Sequence, residues 1–343
     1  MHKVRLLLLP FSWIYGIITF ARNLFFDLGI FKTFIIPKKS ICVGNLSVGG
    51  TGKTPHVAYL AQLLKNDHTV TILSRGYGRK TTGFILAESS TTVAEIGDEP
   101  MLYFKRFNPS LNVTVCERRK NGIENILELF PKNEIILLDD AFQHRAVKAG
   151  LNLLLTDFNS LFSKDFVLPA GNLREFRFGK KRADIIIVTK SPAELNQETK
   201  SKICNELGFP SEKVFFSSIK YGDLIPFSEN PPETLENVLL ITGIANPTPL
   251  YNYLNNKYKV ELLSFSDHHE FTLEDIKLIQ QKFDTFAQQN KAIITTEKDY
   301  VRLENSLHKD IILRLPWYYQ SIDVEIDKKE VFNNFIKAYV NTI

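Results

Sequence analysis

Cysteine is scarce in this chain: three residues in 343, Cys42, Cys116 and Cys204, odd in number and far apart. That excludes a disulfide framework, leaves no paired thiols for zinc, and fits a reducing cytosol. Charge of one sign is lacking too. Basic residues number 42 and acidic ones 38, a net charge of +4, and no long basic block gathers them. A nucleic-acid partner is therefore not expected, and any anionic ligand must be met by local groups. No period of roughly 20 to 50 residues and no low-complexity tract is visible. Also missing is an uninterrupted apolar run long enough to span a bilayer. The stretch "LLLLPFSWIYGIITFA", Leu6 to Ala21, holds 16 residues without a charge, where a spanning helix needs about 20. No small-residue cleavage site follows it, which speaks against a signal peptide.

What remains is globular in composition: 44% hydrophobic and 23% charged residues, with 26 Phe and 12 Tyr to build a core. A chain of this length exceeds the roughly 250 to 300 residues at which single cores stop growing, so two lobes are expected. The apolar N-terminal run is flanked by Arg5 and Arg22 and followed by Lys32, Lys38 and Lys39. With Trp13, Tyr15 and several Phe at the acyl boundary, residues 1–36 read as an interfacial helical segment whose cations reach anionic headgroups.

From residue 40 onward short β-branched runs ("SICVG", "TVTILS", "NVTVCE", "EIILLDD", "LNLLLTD") alternate with stretches of three-to-four apolar spacing such as "TPHVAYLAQLLKN", "GDEPMLYFKRF" and "NGIENILELF". This is the βαβ rhythm of a parallel sheet covered on both faces, with ligands beyond the strands' carboxyl ends. The expected fold is α/β: a P-loop NTPase-like lobe over 37–160, then a smaller second α/β lobe over 161–325 that includes a loop-rich linker. In that second lobe "ADIIIVTK", "KVFFSSI", "NVLLITGIANP", "YKVELLSF", "KAIITTEKD" and "IILRLPW" read as strands. A C-terminal helix over 326–343 is able to pack back on the first lobe.

The segment "ICVGNLSVGGTGKTPHVAYLAQLL" supplies a strand, a glycine-rich turn, Lys-Thr and a helix in the order a phosphate loop requires. Gly49, Gly50 and Gly52 permit close backbone approach, Lys53 meets the β- and γ-phosphates, and the Thr54 hydroxyl suits Mg²⁺. The strict pattern asks for glycine where Ser47 stands. A membrane-associated switch ATPase carries a second lysine in this loop, and Val48 occupies that lysine's place. Asp139 and Asp140 end an apolar run, as expected of a metal-side strand tip. Asp98 and Glu99 open a helix, where the dipole alone favours acids; the functional alternative makes one a proton acceptor and the other a metal holder. His268 and His269 in "SFSDHHEF" offer a tunable imidazole. With no third His or Cys at ligand spacing, zinc is not expected.

Taken in order, "GNLSVGGTGKTP", "LSRGYGRK", "GDEP", "CERRKNG", "LLDDAFQHR", "PAGNLRE", "GIANP", "FSDHHEF" and "TTEKD" resemble the tetraacyldisaccharide 4′-kinases of lipid A biosynthesis over nearly the whole chain. The resemblance implies ATP and Mg²⁺, a glycolipid acceptor phosphorylated on its 4′-hydroxyl, a position on the cytoplasmic side of the inner membrane, and no obligate protein partner. It places nucleotide binding on Ser47, Val48, Gly49, Gly50, Thr51, Gly52, Lys53 and Thr54, and catalysis on Asp98, His268 and Lys53. The metal falls to Thr54, Glu99, Asp139 and Asp140. The acceptor's 1-phosphate calls for arginine forks, for which Arg75, Arg79, Arg118, Arg119 and Arg174 are the candidates, with Tyr77 beside the sugar.

Overall fold

In the computed structural model, which describes residues 3–228, 232, 234–286, 289–304 and 309–342, the chain forms a long helix, α1 (Leu9–Asp27), then a two-residue strand, β1 (Phe34–Ile35), before entering β2 (Lys39–Asn45). There follow α2 (Lys53–Leu64), β3 (Val70–Ser74), β4 (Ile85–Leu86), α3 (Val93–Ile96), α4 (Asp98–Phe107), β5 (Asn112–Val115), α5 (Arg119–Leu129), β6 (Ile135–Asp139), β7 (Val147–Lys148) and β8 (Leu151–Asp157). Strands β2, β3 and β6 are buried without alternation, because each has a parallel neighbour on both edges and helices on both faces. Their order is β8-β2-β6-β3-β5, with β4 antiparallel at the rim. Helix α2 presses Val57, Leu60, Ala61 and Leu64 onto one face of this sheet.

The sheet does not end at residue 160, where the sequence reading divides the chain. Strand β9 (Ile185–Thr189) pairs in parallel with β8. After α6 (Gln197–Leu207), β10 (Val214–Pro226) pairs with β9 through Val214–Phe216 and then, from Ser217 on, runs antiparallel to a strand of the second half. That half comprises β11 (Asn237–Thr242), α7 (Thr248–Asn255), β12 (Lys259–Ser264), α8 (Leu273–Thr285), β13 (Lys291–Thr296), α9 (Glu297–Glu304), α10 (Lys309–Ile312), β14 (Trp317–Ile326) and α11 (Lys329–Asn341). Twelve strands thus form one sheet, β12-β11-β13-β14-β10-β9-β8-β2-β6-β3-β5-β4. Helix α11 packs Phe332, Ile336 and Val340 into the core of the first half.

One expected strand is not a strand. The first two residues of "IILRLPW", Ile311 and Ile312, end the short helix α10, which buries Ile312 beside Leu303 and Trp317; the strand begins only after Pro316, at Trp317. Proline has no N–H for a ladder and restricts the residue before it. The longer run "WYYQSIDVEI", whose polar and apolar residues mix because it pairs with the half-exposed end of β10, is the strand that periodicity missed.

Helix α1 is amphipathic in the inverted sense. Its buried positions are the small and polar Ser12, Gly16 and Asn23, while Phe11, Trp13, Ile14, Ile17 and Ile18 are 56% to 65% exposed. Ser12 accepts a hydrogen bond from the Ala170 N–H at 2.9 Å, and Asn23 donates to Glu175 at 2.8 Å. A Cβ at Gly16 would sit 2.4 Å from the Phe176 ring, so only glycine allows this close approach. The helical stretch from Arg5 to Asp27 has 23 residues and a mean hydropathy of 1.2, long and apolar enough to cross a bilayer by length and composition.

Candidate active site

One cavity of about 1060 Å³ lies beyond the carboxyl ends of β2, β3, β6 and β9 and reaches across β10 to the second half. On its first-half wall the turn after β2 is held from two directions. Ser47 bridges Leu173 in antiparallel fashion, the Val48 N–H donates to the Asn172 carbonyl at 2.7 Å, and the Arg174 N–H donates to the Leu46 carbonyl at 2.7 Å. From inside, Asn45 donates to the Thr51 hydroxyl at 2.8 Å and the Thr189 hydroxyl to the Thr51 carbonyl at 2.9 Å. Gly49 (φ 103°) and Gly52 (φ 81°) take backbone conformations that side chains resist, and Gly52 leads directly into α2, whose first residues, Lys53 and Thr54, line the cavity. Val48, Gly49, Gly50, Thr51, Gly52, Lys53 and Thr54 all line the cavity; Ser47 is turned into the bridge and does not.

His56, two residues further along α2, locks this turn to β10. Its Nδ1 lies 2.7 Å from the Gly52 carbonyl and its Nε2 2.9 Å from the Ser217 hydroxyl. A carbonyl only accepts, so Nδ1 carries the proton and Nε2 accepts from Ser217. Burial lowers the pKa of this imidazole to about 4, so it is neutral at physiological pH.

At the tip of β6, Asp139 and Asp140 diverge. Asp139 is buried; Ser74 donates to its Oδ2 at 3.2 Å, and its Oδ1 has no hydrogen-bond partner among the described residues. Burial, together with the charges of Glu99 and Asp140, pushes its pKa up to about 7, only partly offset by Lys53 and Arg119. Asp140 adopts the left-handed region (φ 47°), uncommon for a non-glycine residue, and faces Lys53 at 3.6 Å and Arg174 at 3.1 Å. Thr54 and Glu99 stand on the same wall.

The structure joins Asp98 and His268, which are 170 residues apart in sequence. His268 Nδ1 lies 3.1 Å from Asp98 Oδ2, and its Nε2 lies 3.1 Å from the Lys298 ammonium. An ammonium only donates, which leaves Nε2 as acceptor and Nδ1–H as donor to the carboxylate; Arg302 Nη2, 3.2 Å from Nδ1, is then a close neighbour and not a hydrogen-bond partner of the ring. His268 is itself left-handed (φ 59°) and touches Tyr77 edge-on at 5.9 Å between ring centroids. His268 and Tyr77 line the cavity, while Asp98 stands immediately behind, bonded to His268. Burial would raise the Asp98 pKa, but the Arg302 guanidinium, Lys298 and His268 together hold it below the ordinary range. Neighbouring His269 is occupied elsewhere: it bonds Asp275 at 2.9 Å and stacks on Phe265.

The five candidate arginines separate by environment. Arg75 is exposed and lines the cavity, and Arg174 lines it while engaged with Asp140 and Gln143. Arg119 also borders it, but its buried guanidinium donates to the carbonyls of Cys116 (2.7 Å) and Asp139 (2.9 Å), tying the ends of β5 and β6 together. Arg79 is not on the wall: it donates to Glu117 and to the Gly83 carbonyl at 2.7 Å, bracing its own loop. Arg118 is exposed outside the cavity lining.

Arg302, Lys298 and Thr19 were not singled out from sequence, and Tyr15 and Arg22, expected at the acyl boundary and the headgroups, instead border the cavity, where Arg22 donates to the Gln143 carbonyl at 3.0 Å. Lys298 lies within "TTEKD", and Arg302 follows Asp299 by three positions, one helical turn, which is the available signal. The three α1 residues border the cavity because the polar side of that helix faces inward.

The family model described as tetraacyldisaccharide-1-P 4′-kinase matches residues 4–341. A curated tetraacyldisaccharide 4′-kinase of Flavobacterium psychrophilum is 46% identical over 100% of this chain and 98% of its own length. That of Bacteroides thetaiotaomicron is 42% identical over 98% of this chain and 94% of its own. Among solved structures, LpxK from Aquifex aeolicus in complex with ATP superposes with a TM-score of 0.76 at 32% identity, covering 98% of this chain and 100% of that one. With its nucleotide turn, its carboxylates and its two halves all within the matched span, the chain belongs to the tetraacyldisaccharide-1-phosphate 4′-kinase family.

Proposed function

We propose that this protein transfers the γ-phosphate of ATP, with Mg²⁺, to the 4′-hydroxyl of a tetraacyldisaccharide 1-phosphate at the cytoplasmic surface of the inner membrane. The observation that supports this most is that Lys53, Thr54, Asp139, Asp140 and His268, the last bonded to Asp98, come to one cavity from both halves of the chain. The backbone N–H groups from Gly49 to Thr54 cradle the phosphates, and Lys53 sets its charge against the β- and γ-phosphates.

The carboxylate environment fits a divalent cation. The buried Asp139 keeps one oxygen without a hydrogen-bond partner among the described residues and lies beside the carboxylates of Glu99 and Asp140, which fits a cation bound at that oxygen. Among the described residues no trio of His, Cys, Asp or Glu is grouped to hold a metal alone; Mg²⁺ shared with phosphate oxygens takes only one or two carboxylates. Thr54, Asp139 and Asp140 would hold it, with Glu99 at the margin. When bound, Mg²⁺ supplies neutralisation of the phosphate charge.

Asp98 accepts the proton of the acceptor hydroxyl, late in a loose transition state, while His268 fixes its orientation. Arg75, exposed on the cavity wall, receives the acceptor's 1-phosphate, and Tyr77 sits beside the sugar. The exposed apolar face of α1 lies on the bilayer, where the acceptor's acyl chains are anchored. The acceptor sugar then reaches the cavity along the inner side of the same helix, past Tyr15, Thr19 and Arg22. A protein-activated switch ATPase is the less favoured reading, since the loop lysine it needs is replaced by Val48.

The assignment is checked by comparing two variants. Lys53→Ala should lose ATP affinity and transfer together, whereas Asp98→Ala should keep ATP affinity within about twofold and lose transfer by about a hundredfold or more. An Asp98→Ala enzyme turning over at nearly the wild-type rate would remove Asp98 from the chemistry.

A further inference from the structure

Asp98 is the first residue of α4, and three donors from the second half of the chain reach its carboxylate. Arg302 donates from Nε at 2.9 Å and from Nη2 at 2.5 Å, and His268 Nδ1 lies at 3.1 Å. All three meet the same oxygen, Oδ2. Oδ1 takes no hydrogen bond among the described residues, so the carboxylate has one anchored and one available oxygen.

Arg302 is held for this purpose independently of Asp98. Its Nη1 donates to Asp299 Oδ1 at 2.8 Å and lies 3.3 Å from the Gly243 carbonyl. Asp299 has no exposure, and its other oxygen accepts from the Gly243 N–H at 2.9 Å and the Thr296 hydroxyl at 2.7 Å. Asp299 therefore already supplies the counter-charge that burying Arg302 requires. The Nε–Nη2 edge is left over, rigid, and presented to Asp98. A guanidinium offers two such edges in one plane, while an ammonium offers a single point, so the arrangement uses a property particular to arginine.

We propose that Arg302 is a positioning residue: from the second half it fixes Oδ2 of Asp98, so that Oδ1 is the oxygen that meets the acceptor hydroxyl. This rests on the reading of Asp98 as proton acceptor. The base is then oriented only when the loop carrying His268 and the helix carrying Arg302 are seated on α4, which ties competence for proton transfer to the docking of the two halves.

The test is a double-mutant cycle with the full-length enzyme in detergent, reading kcat and KM for ATP and for the lipid acceptor. In the wild-type background Arg302→Met should lower kcat about thirtyfold, in keeping with the up to hundredfold cost of displacing a reacting group by about 1 Å, with KM for ATP within about twofold. Arg302→Lys should recover kcat to within about fivefold of wild type. In an Asp98→Ala background Arg302→Met should change the residual rate by less than about twofold, because its effect passes through the carboxylate. An Arg302→Met enzyme with unchanged or raised kcat overturns the proposal, and so does an equal fractional loss in both backgrounds, which marks a purely structural role. If Arg302→Met does not fold, Arg302→Lys is carried through both backgrounds and must show its smaller loss only where Asp98 is present. Should Asp98→Ala alone leave turnover intact, the reading of the base fails, a result distinct from failure of the Arg302 assignment.

Discussion

Arg75 and Arg79 stand four positions apart in one loop, yet their surroundings assign them opposite tasks. Arg75 is exposed on the cavity wall, so Arg75→Ala should raise KM for the lipid acceptor at least about tenfold, the worth of one charge-assisted contact, and leave KM for ATP and the melting temperature unchanged. The Arg79 side chain is only 4% exposed and paired with Glu117. Arg79→Ala should destabilise the fold by about 1 kcal/mol, read as a lower denaturant midpoint, because it removes the bond to the Gly83 carbonyl and a charge-assisted bond to Glu117, whose side chain is 39% exposed and keeps water as a partner. The reverse pattern would exchange the two roles. His56 carries a pH dependence. Its folded pKa of about 4 lies below the ordinary 6.5, so between those values the unfolded chain binds more protons, and stability, complete above about pH 6.5, is lost as pH falls towards 4. The loss is on the order of 3 kcal/mol. In denaturant titrations without nucleotide, His56→Gln should flatten that slope; an unaltered slope would mean the imidazole is not held neutral. Sequence reading singled out the nucleotide turn, Asp98, His268 and the β6 acids, each from a compact motif, and the structure gathers them at one cavity, Asp98 through its bond to His268. It had no means of dividing the five arginines, whose roles depend on which carbonyls and carboxylates tertiary contacts bring near, nor of finding Arg302, whose partner lies 204 positions away.

At the scale of elements, α1 carries the clearest consequence. Hydrophobicity without charge flagged the segment, but only the burial pattern shows that its polar side faces the chain, through contacts such as Ser12 with Ala170 and Asn23 with Glu175, while Phe11, Trp13, Ile14, Ile17 and Ile18 are exposed. Replacing Ile14, Ile17 and Ile18 together by Asn should reduce co-sedimentation with anionic lipid vesicles. Three side chains at about 1.5 kcal/mol each amount to roughly 4.5 kcal/mol, more than a thousandfold in partition. ATP affinity should not change. Undiminished sedimentation would show that attachment lies elsewhere. Deleting the helix is a poorer experiment, since Tyr15, Thr19 and Arg22 would be lost from the cavity wall with it. Among strands, those buried on both faces were legible as continuous apolar runs. β14 was not, because half of its pairing is with the exposed end of β10 and its composition follows that surrounding; nor was α10, a single turn fixed by the burial of Ile312.

At the scale of the molecule, alternating strands and helices made two α/β halves readable, but not how they join. Residue 160 looked like a boundary because periodicity lapses there, whereas β9 and the start of β10 return to the first sheet and the remainder of β10 begins the second half. A strand shared in this way sets the nucleotide turn on one side of the cavity and the His268 and Arg302 elements on the other. The central claim is that these two walls act on one triphosphate and one lipid hydroxyl. The measurement that tests it most directly is the fate of the γ-phosphate: the enzyme with γ-labelled ATP, Mg²⁺ and the tetraacyldisaccharide 1-phosphate in detergent, followed by separation of lipid from inorganic phosphate. The account predicts label on the lipid with the wild-type enzyme and almost none with Asp98→Ala. Label appearing as inorganic phosphate at a rate indifferent to the lipid would contradict it.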